Sequence, residues 1–360
     1  MLSILVTESA RNEVGKHHLF NNVFYKLKKH KIRFKILTFK LDEKKKIFSF
    51  RGLKPEVIIT KVSFSQFINN IFLLYNLIKL NPDHLIIGGY GFIQNWVSLI
   101  YALTFRKKIT IWTGASETSS LNKGFFYFYI KSFFIKKFDN AIVYGTRSKI
   151  YLKKLGFKKK IILTKNISDI EFFGKKNFIK SHKNKKPSFI YCGRLVKHKG
   201  IEYLLKTFER FDKNKYQLTI VGDGPLRSFV KSKISSRKVN ANFLGQLEQD
   251  DLACELKKNN YFISPSLNDP FSRILSEAIV SGCFCISSIY DDASFDLINS
   301  SNGIIFDPKK DNALFNILSN IFNNQSVFEF NKKSYKQLNY DTNKYSTEYT
   351  LAIVEALNVY

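Results

Sequence analysis

The residues best suited to chemistry sit in one stretch, Ser264 to Gly282. It reads Ser-Pro-Ser-Leu-Asn-Asp-Pro-Phe-Ser-Arg-Ile-Leu-Ser-Glu-Ala-Ile-Val-Ser-Gly. Two carboxylates, Asp269 and Glu277, stand with seven residues between them. The apolar run Tyr261-Phe-Ile before them reads as a short buried strand, ended by a Ser/Pro/Asn/Asp cluster with turn chemistry. A helical pattern follows, with Ile274, Leu275, Ala278 and Ile279 on one face and Gly282 as the stop. Backbone N–H groups at Ser272, Arg273 and Ile274 then lack helical partners and can hold a phosphate. Asp269 lies before the helix and Glu277 more than a turn into it. They are placed as hydroxyl acceptors on either side of an anion site, rather than as an acid and a base. That suits a nucleotide sugar; the plainer reading is a polar loop leading into an amphipathic helix with two solvated acids.

Two further loops carry cations or glycines. Tyr191-Cys-Gly193-Arg194-Leu-Val-Lys-His-Lys199-Gly200 follows a strand; its glycine admits a close ligand, and Arg194 and Lys199 can bind phosphate, the first bidentately and the second as a point charge. Val221-Gly-Asp-Gly-Pro-Leu226 runs from a strand through a glycine turn into a helix with Pro near its start. Each alone also reads as an ordinary βα connection. His17 and His18 read as helix-face residues unless the first loop borders a site, and His84 begins a buried strand.

The elements that must position these residues alternate along the chain. In the first half, strands are expected at 3–7, 33–39, 57–60, 85–87, 108–113, 140–144 and 160–163, with helices between them. The second half has strands at 188–192, 217–221, 242–244, 261–263, 284–286 and 303–306. Helices from Asp311 and Thr342 end the chain. Such alternation predicts parallel sheets with helices on both faces, hence an α/β fold. Gly174 to Pro187, with six lysines and His182, is the best linker. The expected domains are 1–173 and 188–340, with a helix over 341–360 that packs back on the first.

The chain has 360 residues, enough for two cores. It carries 58 Lys+Arg against 29 Asp+Glu, a formal charge of +29, which favours anionic partners. The bases are spread rather than concentrated on one element, which argues against a compact nucleic-acid module. The four cysteines, Cys192, Cys254, Cys283 and Cys285, form no CxxC pair and read as reduced thiols of a cytoplasmic protein. The N-terminus reads as a first strand, not a signal peptide.

In order and spacing, GRLxxxKG, VGDGPL, Phe243-Leu244-Gly245 and SPSxxDPFSRILSEAxxSG resemble the retaining family 4 glycosyltransferases of the GT-B fold, over about residues 188 to 308. Asp139-Asn-Ala-Ile-Val-Tyr and Lys165-Asn166-Ile-Ser-Asp169 extend the likeness more weakly. The resemblance implies two doubly wound Rossmann-like domains facing a cleft. It implies that Arg194 and Lys199 hold the donor diphosphate and stabilise the charge that grows on it. Asp269 would bind hydroxyls of the transferred sugar and Glu277 those of the ribose. Gly15, Gly193, Leu244, Ser272, Arg273 and Ile274 would complete the donor site. Neither a cofactor nor a metal is implied; the substrate is a UDP- or GDP-linked sugar, and the acceptor a glycan or lipid-linked glycan of surface polysaccharide or lipopolysaccharide synthesis. The sequence departs from the family in four places, one of them Pro270 and Ser272, which stand where the family often has glycines. The first motif acid is Asp, about 1.5 Å shorter in reach than Glu. Residues 10–18 hold only one glycine, Gly15. The loop Gly114-Ala-Ser116-Glu117-Thr118 lacks the family's His, leaving Ser116 or Glu117 to contact the sugar.

Leu85 to Phe105 is 21 residues without an acid or a base until Arg106, long enough to span a bilayer, but glycines at 88, 89 and 91 divide it into a strand and a core helix. Phe125 to Phe138 is rich in aromatics and lysines. It reads either as a core-facing helix or as a basic aromatic face on an anionic membrane, which would place the protein peripherally on the cytoplasmic face of the inner membrane. The rival functions are a basic nucleic-acid or anionic-surface binding protein and a nucleotide-sugar epimerase or hydrolase.

Overall fold

The β-rich runs do form strands, and each helical run returns the chain so that neighbouring strands lie parallel. The computed structural model describes residues 1–7, 17–38, 54–59, 65–118, 124–166, 170–175, 186–323 and 342–357. The chain divides into two compact units, Met1–Lys165 with Asp341–Tyr360, and Asn166–Tyr340.

In the first unit the strands are β1 (Leu2–Thr7), β2 (Arg33–Thr38), β3 (Glu56–Ile59), β4 (His84–Gly88), β5 (Lys108–Thr113), β6 (Asn140–Tyr144) and β7 (Lys160–Thr164). They form one parallel sheet in the order β3-β2-β1-β4-β5-β6-β7. The helices are α1 (His17–Lys29), α2 (Gln66–Leu80), α3 (Ile93–Thr104), α4 (Phe125–Ile135) and α5 (Gly145–Lys154). Side chains alternate across the pleat. Ile4, Val6, Leu85 and Ile87 pack with Leu73, Leu77, Leu99 and Phe134 on one face. Leu5, Ile36, Ile86 and Ile142 pack with Phe20 and Leu27 on the other. This is why the strands read as continuous apolar runs: both faces are covered.

The last described helix, Thr342–Ala356, completes the second of these faces. Its Tyr349, Ile353 and Val354 are buried there. The Tyr349 ring packs tilted at 60° with its centroid 5.1 Å from that of Trp112, and its hydroxyl lies 3.0 Å from Thr164 Oγ1. Lys160 pairs with Glu355 at 2.5 Å. His84 is buried under the start of the sheet, its ring nitrogens 3.0 Å from Ser3 Oγ and 2.8 Å from Thr110 Oγ1. Burial drives its pKa down to about 4, so the ring is neutral.

The segment from Leu85 to Phe105 is a strand, a glycine turn and the twelve-residue α3, and no helix among the described residues is long and apolar enough to cross a membrane. The helix over Phe125–Ile135 faces the core on one side only. Phe134, Ile135 and Phe138 are buried, while Phe126, Tyr129 and Phe133 face out. Lys131, expected on a basic face, is instead buried among the rings of Tyr90, Tyr127 and Tyr151 at 4.3–5.2 Å. Its ammonium is held by ring quadrupoles, which offset the cost of burying the charge.

In the second unit, β8 (Ser188–Cys192), β9 (Gln217–Val221), β10 (Ala241–Gly245), β11 (Tyr261–Ser264), β12 (Phe284–Ser288) and β13 (Gly303–Phe306) form a parallel sheet in the order β10-β9-β8-β11-β12-β13. It is covered by α7 (Ile201–Phe208), α8 (Arg227–Ser235), α9 (Gln249–Lys258), α10 (Arg273–Val280) and α12 (Ala313–Asn323). The amphipathic spacing of α7 is plain: Ile201, Leu204, Leu205 and Phe208 are all buried. Two short helices were not expected, α6 (Ile170–Lys175) and α11 (Ala293–Leu297). The expected linker Gly174 to Pro187 therefore begins inside α6, and its residues 176–185 lie outside the described residues. With α11 counted, the helix over Thr342–Ala356 is α13.

Candidate active site

In the second sheet the strand order reverses between β8 and β11, because the chain first winds outward through β9 and β10 and then returns to the other side of β8. In open parallel sheets the crevice beyond the carboxyl ends at such a reversal is where ligands bind. The loops that leave β8 and β11 carry Gly193, Arg194 and Lys199 on one side and Asn268, Asp269 and Ser272 on the other.

Glycines let these loops meet backbone to backbone. Gly222, at φ +133°, leaves no room for a Cβ, which would fall 1.9 Å from the Gly193 carbonyl oxygen. Gly200, at φ +73°, would place one 2.1 Å from the Pro265 carbonyl oxygen. Main-chain bonds then tie the loops. Leu195 N–H donates to Asp223 O at 2.9 Å, Leu267 N–H to His198 O at 2.7 Å, and Gly222 N–H to Gly245 O at 2.7 Å. Asp269 N–H donates to Tyr290 O and Asp292 N–H to Asp269 O, both at 2.9 Å.

Within this frame Lys199 Nζ donates to the carboxylate of Asp269, an ion pair whose acid is buried. Arg194 is exposed, with its carbonyl oxygen fixed by the Tyr191 hydroxyl at 3.2 Å. Burial, then the charges of Lys199 and Arg194, lower the pKa of His198. Both cations stand in the one loop that leaves β8.

A second acid lies behind the first. Asp291 is fully buried and forms an isolated parallel bridge with Asp269. It accepts from Ser264 Oγ at 3.3 Å, Ser272 N–H at 3.2 Å, Ser272 Oγ at 2.5 Å and Ala293 N–H at 3.2 Å. Burial, and next the negative charge of Asp269, push its pKa up to about 7. Asp291 therefore holds the starts of both α10 and α11.

This changes one expectation. The Ser272 N–H, read as a phosphate donor, is taken by Asp291. Ser272 stands at the N-cap position of α10 without a side-chain cap bond, and the N–H groups of Arg273 and Ile274, in the first turn, have no intrahelical carbonyl to donate to. Glu277 lies one turn on, half-buried, and its charge is felt by Cys192 at the end of β8, whose thiol is pushed up first by burial and then by Glu277. The Nη1 of Arg273 and the Oδ1 of Asn268 are buried without a hydrogen-bond partner among the described residues.

The structure thus gathers Gly193, Arg194, Lys199, Asp269, Ser272, Arg273, Ile274 and Glu277 around the reversal between β8 and β11. Leu244 stands apart, half-buried on β10 at the edge of the same sheet. Gly15 lies outside the described residues. Ser116 and Glu117 follow β5 in the first unit. Ser116 is buried, with its hydroxyl 2.6 Å from Thr118 Oγ1, and Glu117 pairs with Lys154 at 2.5 Å. Asp291 and Asn268 were missed by sequence reasoning. The acid pair Asp291 and Asp292, three residues past β12, marks a turn in the sequence but not a partner for Asp269. Among the described residues no group of three or more His, Cys, Asp or Glu side chains is set to hold a metal ion.

Residues 172–344 match the model of the family "Glycosyl transferases group 1". Over 172 residues the chain is 26% identical to the "GalNAc-alpha-(1->4)-GalNAc-alpha-(1->3)-diNAcBac-PP-undecaprenol alpha-1,4-N-acetyl-D-galactosaminyltransferase" of Campylobacter jejuni, covering 46% of this chain and 45% of the relative. The chain thus spans less than half the length of that curated relative. Among solved structures, a lipopolysaccharide outer core galactosyltransferase, WaaB, superposes with a TM-score of 0.74 at 20% identity over 99% of both chains. Anabaena HepE in complex with UDP and glucose superposes with a TM-score of 0.75 at 14% identity, over 99% of this chain and 100% of that one. These likenesses show the fold, GT-B, with its two parallel-sheet Rossmann-like domains.

Proposed function

We propose, from a chain whose residues 172–344 carry a glycosyl transferases group 1 domain on a GT-B fold, that the protein is a retaining glycosyltransferase of family 4. It moves a hexose-type sugar from a nucleoside diphosphate sugar to a growing, lipid-linked surface glycan. One observation carries this reading: Lys199, which shares the loop after β8 with Arg194, is paired with Asp269 across the β8–β11 reversal. An ammonium has three donors. Lys199 gives one to Asp269 and keeps two for a phosphate, while the exposed guanidinium of Arg194 is shaped for bidentate contact. As the glycosidic bond breaks, negative charge grows on the departing diphosphate, where fixed donors stabilise it most. The start of α10 adds the N–H groups of Arg273 and Ile274, so the charge is met without a metal. Asp269 is left to orient sugar hydroxyls and Glu277 those of the ribose.

The UDP complex of the similar Anabaena structure supports a nucleoside diphosphate donor. The printed names of the Campylobacter relative and of the lipopolysaccharide enzyme support a lipid-linked acceptor. The cysteines, free in the structure, agree with work on the cytoplasmic side of the membrane.

The test is thermal unfolding with UDP, GDP, ADP and CMP. One diphosphate at a hundred times its dissociation constant should stabilise by about 2.7 kcal/mol, and Arg194→Ala should abolish that gain. No response to any nucleotide would sink the reading. Nucleotide release from the sugar donor without an acceptor would replace transfer by hydrolysis.

A further inference from the structure

Helices that cover a sheet normally turn a polar face to water. In the first unit, three do not. Each of α2, α3 and α4 precedes a strand of the parallel sheet, and all three pack on the same face of it. They therefore lie side by side and run the same way. α2 and α3 touch through the Tyr101 hydroxyl, which donates to Leu77 O at 2.9 Å, and α3 and α4 through Trp96 and Phe134, whose rings are 4.5 Å apart.

Their outer surface is apolar. Of the 22 large hydrophobic side chains exposed among the described residues, 15 lie between Phe67 and Phe133, and only two lie in the whole second unit. Phe67 is 73% exposed, Ile100 61% and Phe126 76%, with Ile71, Tyr75 and Phe133 all above half. Scattered single residues of this kind need no explanation, but a continuous layer over three adjacent helices marks an interaction surface.

The charge around it selects the partner. From residue 65 to 138 there are two acids, Asp83 and Glu117, against eight bases. Asp83 accepts the Leu2 N–H at 2.7 Å, and Glu117 pairs with Lys154. Five of the bases follow the carboxyl ends of the helices: Lys79 on α2, Arg106 and Lys107 after α3, Lys136 and Lys137 after α4. Because the helices run the same way, these bases border one edge of the apolar layer. Lys107 Nζ bonds Asn81 Oδ1 at 2.7 Å, which joins the ends of α2 and α3. An apolar face with a cationic rim and almost no acid matches the headgroup boundary of an anionic bilayer, where the side chains enter the acyl border and the bases meet lipid phosphates.

We propose that the outer face of α2, α3 and α4 is the surface by which this protein docks on an anionic membrane, without spanning it. The inference deepens the reading of a lipid-linked acceptor and rests on it for its purpose, but not for its geometry. It widens the footprint from one aromatic helix to a layer of three, with α4 giving its outer half only.

The test is sedimentation of the full chain with vesicles of phosphatidylcholine, with and without about a third phosphatidylglycerol. Binding to the anionic vesicles is expected, weakening as salt is raised. Ile71→Glu with Phe133→Glu should weaken it at least tenfold, since both positions are exposed and the core is untouched. Arg106→Gln with Lys137→Gln should weaken it roughly thirtyfold at low salt. Phe295→Glu, in the second unit, should change nothing. No binding to anionic vesicles, or equal binding by the Ile71→Glu/Phe133→Glu variant, overturns the proposal. So does a dimer in light scattering that this variant dissociates while vesicle binding stays as it was, for the face would then belong to a second copy. Nucleotide-induced stabilisation, measured on the same preparation, separates the two readings: vesicle binding without it keeps the surface and sinks the transferase, and the reverse sinks the surface alone.

Discussion

Asp291 carries a proton at a pH where few carboxyls do. In the unfolded chain an aspartate ionises near ~3.9; in the folded protein burial and Asp269 raise this one to about 7. Below pH about 4 both states hold the proton. Between about 4 and 7 the unfolded chain releases it and the folded chain keeps it, so stability falls across that window and levels off above it. Asp291→Asn cannot ionise and keeps an acceptor for Ser272 and Ala293. Its melting temperature should therefore lack this descent, and the gap between variant and parent should widen by several degrees from pH 4.5 to 7.5. A constant gap would show that the carboxyl is not its source. The site's cations and its first acid were legible because each occupies a loop that a glycine and a strand end announce. Asp291 was not, because its role depends on the pairing of Asp269 with the loop after β12, and pairing across a sheet leaves no local mark. For the same reason the fate of the Ser272 N–H could not be read.

Among elements, the turn after β9 bears the tightest constraint. Any side chain at Gly222 must displace the Gly193 backbone beside the two cations. Gly222→Ala should cost about 2–4 kcal/mol in urea unfolding and remove the nucleotide response. The same substitution at Gly124, where a Cβ meets nothing within 4 Å, should be close to neutral. Strands 108–113, 140–144, 188–192, 217–221 and 303–306 fall where their apolar runs stop, since both ends are marked by turn residues or charges. The helix expected from Asp311 starts two residues later, at Ala313, and α7 ends at Phe208 although the apolar spacing continues to Phe211. α6 and α11 escaped notice because five or six residues contain too little of a 3.6-residue period to stand out.

For the whole molecule, the first unit is built from two distant pieces of chain. Tyr349 on α13 is buried against Trp112 and Thr164. Tyr349→Ala should destabilise that unit by about 3–5 kcal/mol. Both tryptophans, Trp96 and Trp112, lie in it, so their fluorescence reports its unfolding separately from the nucleotide-induced shift of the second unit, which should survive. A common loss of both signals would show that the units unfold as one. The same discontinuity also sets an order during synthesis. β1 to β7 leave the ribosome with one face of their sheet covered by α1 alone, and α13, which completes that face, follows only after the whole of residues 166–340. At 5–20 residues per second that is roughly 10–35 s. The second unit can close on itself meanwhile, whereas the first waits with Trp112 held by Phe20 but lacking Tyr349, a natural client for a holding chaperone.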